Sequence, residues 1–100
     1  MNVKKALSEK RRCARAASLF KTLSHPQRLF LLCCLCDGES TVQELQTACG
    51  APQPVISQHL TRMRLEGLIV ARRVGNSMHY RIADPQIPAL IRSMEKIFSA

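Results

Sequence analysis

Three sets of side chains in this 100-residue chain carry chemistry beyond packing. The first is a run of amide and hydroxyl groups, Gln53, Ser57, Gln58 and Thr61, with Pro54 among them and Arg62 and Arg64 following. Small hydrogen-bonding groups on an exposed helix face, flanked by guanidinium groups, are what reading base edges between two phosphate walls requires. The plainer alternative is an amphipathic helix whose polar side only meets solvent. The second set is five cysteines, Cys13, Cys33, Cys34, Cys36 and Cys49. Their odd number, with three crowded together, is unlike a secreted disulfide framework. In a reducing compartment they are buried small hydrophobes, a metal or metalloid site, or a redox-sensing thiol. The third set, His25, His59 and His79, has no mutual metal-ligand spacing. With no Gly-rich phosphate loop and no paired carboxylates, an enzyme is not expected.

The formal charge of +8 points to a polyanionic partner. It comes in two blocks. Lys4, Lys5, Lys10, Arg11, Arg12, Arg15 and Lys21 are opposed only by Glu9, and Arg62, Arg64, Arg72, Arg73 and Arg81 only by Glu66. No segment joins a basic face to a strong aromatic or leucine face, nothing is long enough to span a bilayer, and the basic N-terminus lacks a signal peptide's apolar core. Double-stranded DNA, rather than a membrane, is the expected partner, in the cytoplasm.

Residues 3–23 are predicted to form a first helix, with Val3, Leu7, Ala14, Ala17, Phe20 and Leu23 at helical spacing. Pro26 suits the first turn of a second helix, capped by Ser24 or His25. That helix runs to about Cys36, and its segment from Leu29 is apolar on every side, which predicts burial on all faces, partly shared with a partner subunit. Thr41 and Glu44 form a capping-box pattern opening a third helix over residues 41–49, with Val42, Leu45 and Ala48 inward. After Gly50, a fourth helix spans residues 53–66 and is closed by Gly67, with Ile56, Leu60 and Met63 inward. Two short helices joined by a tight turn make a helix-turn-helix over residues 41–66. Residues 68–82 read as a hairpin around Val74-Gly75-Asn76, and residues 85–98 as a last helix. The expected fold is mainly α with a β-hairpin wing, in the order α-α-α-α-β-β-α: one winged helix-turn-helix domain over residues 1–100. A domain this small often completes its core by dimerising.

Leu23-Ser-His-Pro-Gln-Arg-Leu29, Ser57-Gln-His-Leu60 and Arg64-Leu-Glu-Gly-Leu-Ile69 resemble the ArsR-type winged-helix repressors of bacteria, and the resemblance covers nearly the whole chain. It implies a homodimer built through the first and last helices, repressing transcription until an inducer releases it. The fourth helix would be the recognition helix and the hairpin the wing. Carried over by position, Gln53, Pro54, Ser57 and Gln58 would face the major groove. Thr61 and His59 would lie nearer the backbone or neighbouring helices, and Arg62 is counted with the DNA-binding residues. Arg72, Arg73 and Arg81, with Asn76 at the wing tip, fit backbone or minor-groove contact, or are solvated charges. A two-fold dimer would read an inverted-repeat operator with half-sites about one helical turn apart.

The resemblance also frames the inducer. The cysteine pair that metal-sensing members place at the start of the third helix is replaced by Thr41 and Gln43, and no His or Cys follows Asp84. No metal and no cofactor is therefore expected. In the branch resembling the biofilm-growth-associated repressors, reactive sulfur or oxidants are sensed by a cysteine at the place of Cys33 and a second one where this chain has Ser99. A serine cannot form a sulfur bridge. Cys33 is left to pair with Cys13, to act with Cys36 on one helical face, or to pack without switching. An arsenite or copper(I) site on Cys33, Cys36 and one more thiol is an alternative, as is a constitutive DNA-binding protein.

Overall fold

Short-range chemistry sets most helix boundaries in the computed structural model, which describes residues 1–99. The first helix, α1 (Val3–Leu23), starts where Asn2 accepts a hydrogen bond from the Lys5 amide. α2 (Pro26–Cys36) has His25 as its cap, the ring accepting from the Gln27 amide, and Pro26 in its first turn where no amide is needed. Thr41 and Glu44 close a reciprocal capping box on α3 (Val42–Cys49). Gly50 ends α3 at φ 72°. The next helix, α4 (Gln53–Leu65), ends in a Schellman turn. The Leu68 amide donates to the Met63 carbonyl and the Gly67 amide to that of Arg64, each at 3.0 Å, with Gly67 at φ 78°.

The wing is an antiparallel pair, β2 (Ile69–Val74) and β3 (Ser77–Ile82), in register from Ile69 opposite Ile82 to Val74 opposite Ser77. Gly75, at φ 61°, takes the first central place of the two-residue turn, as a type II′ connection demands. One strand was not foreseen. β1 (Ser40–Thr41) pairs with β3, giving the order β1-β3-β2 and making β3 central. Two residues leave too short a pattern to detect by alternation. α5 (Gln86–Ile97) follows, its first amide bonded to Asp84 Oδ1 at 2.9 Å.

The core joins Leu31, Leu32 and Leu35 of α2, Leu45, the α4 stripe Ile56, Leu60 and Met63, Leu68 and Ile69 at the start of the wing, and Ile87 and Ile91 of α5. Burying each large aliphatic contributes about 1.5–3 kcal/mol. In a single protomer Leu31, Leu32 and Leu35 of α2 are buried and Cys33, Cys34 and Cys36 half-buried against the core, while Phe30 is 42% exposed. One expectation fails. Ala48 is exposed because Val42, Leu45 and Cys49 already form the inward stripe of so short a helix. Most of α1 also stands clear of the body, with Val3, Leu7 and Phe20 exposed, and Ile97 and Phe98 are open at the end of α5. Among the described residues no helix is long and apolar enough to cross a membrane.

Because nothing lies within 4 Å of a Cβ added at Gly67, substitution there costs backbone strain alone. Gly67→Ala is expected to destabilise the fold by about 1–2 kcal/mol, and Gly67→Asn by less. The urea midpoint would fall with an unchanged slope.

Candidate nucleic-acid interface

Ile56, Leu60 and Met63 are fully buried, which fixes the rotation of α4 about its axis. Gln53, Pro54, Gln58, Thr61 and Arg62 are thereby exposed, and Ser57 is half-buried beside them. Ser57, Gln58, Thr61 and Arg62 line one shallow groove with Leu65 and Glu66. Leu65, 81% exposed, was not singled out from sequence; a leucine at the end of an amphipathic helix gives no signal of its own. Amides, hydroxyls and a methyl-rich side chain along one groove can meet base edges and the thymine methyl group.

The flank of α4 is tied to the body by polar contacts. Thr22 on α1 is buried, and its hydroxyl donates to Glu66 Oε2. The other oxygen of Glu66 accepts from Arg62 Nε at 3.0 Å. Two turns earlier on the same flank His59 is half-buried, with Nε2 3.0 Å from Gln27 Oε1 and its ring 4.6 Å from that of His25, edge on. Arg28 Nε donates to the Thr22 carbonyl at 3.0 Å. The His25-Pro-Gln-Arg28 segment therefore caps α2, secures the end of α1 and grips α4. His59 belongs to this joint and not to the outward face.

Desolvation, then the nearby His25 and Arg28 charges, hold the His59 imidazole below its ordinary pKa. The unfolded chain takes up that proton first as pH falls. The contribution of neutral His59 is complete above the ordinary histidine pKa of about 6.5 and is lost as pH drops through the lowered folded value. Stability is expected to decline between pH 7 and 5, with a shallower decline in His59→Gln, measured by urea unfolding across that range.

On the wing, the register puts Arg72, His79 and Arg81 on one face of the hairpin and Arg73 on the other. Asn76 is exposed at the tip. Arg72 is not a free cation. Its Nε and Nη2 donate to the two oxygens of Glu39 at 2.9 and 2.7 Å, and His79 Nδ1 lies 3.6 Å from the same carboxylate. The Arg72 guanidinium holds the Glu39 carboxyl below the usual carboxylate range. No sequence signal pairs residues 39 and 72; the sheet brings them together.

The five cysteines are all free thiols. The structure divides them. Cys33 feels the charges of Cys36, Glu95, Cys34 and Asp37, and Cys36 those of Asp37, Glu95 and Arg92, so this pair shares the Glu95 charge of α5. Cys34 instead neighbours Cys49 of α3. Cys13 is exposed on α1. Burial, more than the neighbouring charges, pushes the Cys33, Cys34 and Cys36 thiols up from the ordinary thiol value. Ser99 is exposed, its hydroxyl donating to the Lys96 carbonyl at 3.4 Å. Thr41 is occupied as a helix cap, Gln43 is exposed, and Asp84 bonds the first amide of α5. Among the described residues no three His, Cys, Asp or Glu side chains stand together so as to hold a metal ion.

Residues 25–70 match the model of bacterial regulatory proteins of the arsR family. The chain is 39% identical over 90 residues to the biofilm growth-associated repressor of Xylella fastidiosa, covering 90% of this chain and 79% of that protein. Its structure is similar to that of the transcriptional repressor BigR from Xylella fastidiosa, with a TM-score of 0.89 and 37% identity over 95% of this chain and 97% of that one. It is also similar to the homodimeric winged helix-turn-helix DNA-binding domain Mb0332 from Mycobacterium bovis, with a TM-score of 0.75 and 29% identity over 97% and 86% of the two chains.

Proposed function

Because the chain belongs to the arsR family of bacterial regulatory proteins, and so is a DNA-binding transcriptional regulator rather than an enzyme, we propose that it is a homodimeric repressor that reads an inverted-repeat operator with α4. The observation that carries this reading is the outward groove of α4, where Ser57, Gln58 and Thr61 lie opposite a fully buried apolar stripe. In this reading the whole chain is one winged-helix unit. Gln53, Pro54, Ser57 and Gln58 meet base edges, while Thr61, Arg62, Arg73, Arg81 and Asn76 meet backbone or minor groove. The exposed apolar residues of α1 and α5 support dimerisation through those helices, as does the likeness to a homodimeric domain.

Ser57→Ala combined with Gln58→Ala is expected to weaken binding to an operator selected from random duplexes by roughly thirtyfold or more, since two base contacts are lost and each is worth about 1–3 kcal/mol. Binding to unselected duplex would change little. Equal losses on both duplexes, measured by fluorescence anisotropy, would remove the base-reading role from α4.

We further propose that the operator is released by thiol modification at Cys33, with Cys36 as the resolving thiol in place of Cys13. The pair lies three residues apart on α2 with Glu95 and Asp37 beside it. With a polysulfide, the Cys33 thiolate forms a bond to a sulfane sulfur and a shorter polysulfide leaves. The Cys36 thiolate then displaces hydrosulfide from the resulting persulfide. Helical neighbours three apart have Cβ atoms about 5–6 Å apart, whereas a disulfide needs about 3.8 Å, so closure must tighten the last turn of α2. Raised thiol pKa values leave little thiolate at neutral pH. The rate of Cys33 modification, in protein carrying Cys13→Ser, Cys34→Ala and Cys49→Ala, is expected to climb about tenfold per pH unit from pH 7 past 8. Operator affinity that stays constant while mass spectrometry shows Cys33 modified would reject the switch.

A further inference from the structure

Glu39 stands in the turn between α2 and β1, one residue before the strand that pairs with β3 and runs into the cap of α3. It reaches across the central strand to β2 and takes the Nε–Nη2 edge of Arg72, at 2.9 and 2.7 Å. His79 Nδ1, on the intervening strand, lies 3.6 Å from the same carboxylate, and the Arg81 charge also acts on it. A carboxylate seated on the Nε–Nη2 edge of a guanidinium uses the same planar, bidentate geometry that a phosphate would use. Arg72 cannot present that edge to DNA while Glu39 holds it. The contact also ties the edge strand of the wing to the turn that introduces the helix-turn-helix, so it bears on the angle between wing and α4.

We propose that Glu39 is a positioning residue for DNA binding: it withholds Arg72 from the phosphates and braces the wing against the helix-turn-helix. The non-specific phosphate contacts of the wing are then left to Arg73, Arg81 and Asn76. This inference rests on the reading of the hairpin as a DNA-facing wing. Its consequence is a trade in which one potential phosphate contact per protomer is given up for a fixed wing.

Salt dependence tests it, because each phosphate neutralised adds about 0.9 to the slope of log affinity against log salt. With a random-sequence duplex as probe, Glu39→Gln is expected to steepen the slope by about 0.9 per protomer and to raise affinity several-fold at low salt. Arg72→Gln alone leaves the slope where it was, and E39Q combined with R72Q returns it to that value. Melting curves of the three variants establish that the fold is retained. A slope that flattens by about the same 0.9 per protomer in Arg72→Gln would place Arg72 on phosphate already and overturn the proposal. So would an E39Q slope equal to that of the unaltered protein. The random duplex involves no base reading, so failure here and failure of the α4 assignment appear in different measurements.

Discussion

The rotation of α4 about its own axis is the constraint on which the rest of the molecule depends. Ile56, Leu60 and Met63 are without solvent exposure, and their spacing leaves one stripe of the helix free to carry polar groups. Turning the helix by a single residue, about 100°, would lift that stripe out of the core and drive Ser57 and Gln58 toward it. Three large side chains at about 1.5–3 kcal/mol each make that rotation prohibitive for a domain of this size. The outward groove is thus a consequence of the inward stripe. The candidate reading residues need no contacts of their own to be aimed.

Burial fixes rotation but leaves tilt and sliding adjustable, and polar links govern those. Gln27 reaches His59 on one flank of α4, and Thr22 reaches Glu66 at its end. Both originate near the junction of α1 and α2, where Arg28 closes on the Thr22 carbonyl. A hydrogen bond contributes only about 1 kcal/mol net, but a half-buried partner left unsatisfied costs more, so such links discriminate between nearby packings better than they add stability. Glu39 and Arg72 are different in kind. The pair is exposed, where an ion pair contributes little to stability, and its value lies in what it does to the charge the wing displays.

The elements that were legible in the sequence are those whose signals are local. His25 and Pro26, the Thr41–Glu44 box, Gly50, Gly67 and the Gly75 turn each fix a boundary through contacts spanning a few residues, and the structure uses every one of them. The outward placement of Gln53, Gln58 and Thr61 was legible for the same reason, being the complement of a local apolar period. What was not legible depends on distant partners. β1 exists because β3 passes beside it, and Arg72 is occupied because the sheet delivers Glu39. Ala48 lost its inward place to Cys49. The division of the cysteines into a Cys33–Cys36 side and a Cys34–Cys49 side also required α3 and α5 to be in place.

That division bears on how a proposed thiol switch could reach DNA. A modification shifts affinity only if it has a different free energy in the binding and non-binding arrangements. Cys33 and Cys36 share the Glu95 charge of α5, and Cys36 also feels that of Arg92. Leu32 and Leu35, one residue away from each, are in the core with Ile56, Leu60 and Met63. A close-packed interior does not absorb a tightened turn continuously. Drawing Cys36 toward Cys33 must either displace Leu35 or rotate the end of α2 against α5. The second route leaves Leu35 in the core. If α5 is a dimerisation helix, that rotation alters the spacing between two recognition helices while leaving each one correctly formed. The switch would then act on half-site geometry, to which a two-fold reader of an inverted repeat is most sensitive, and not on the reading residues themselves.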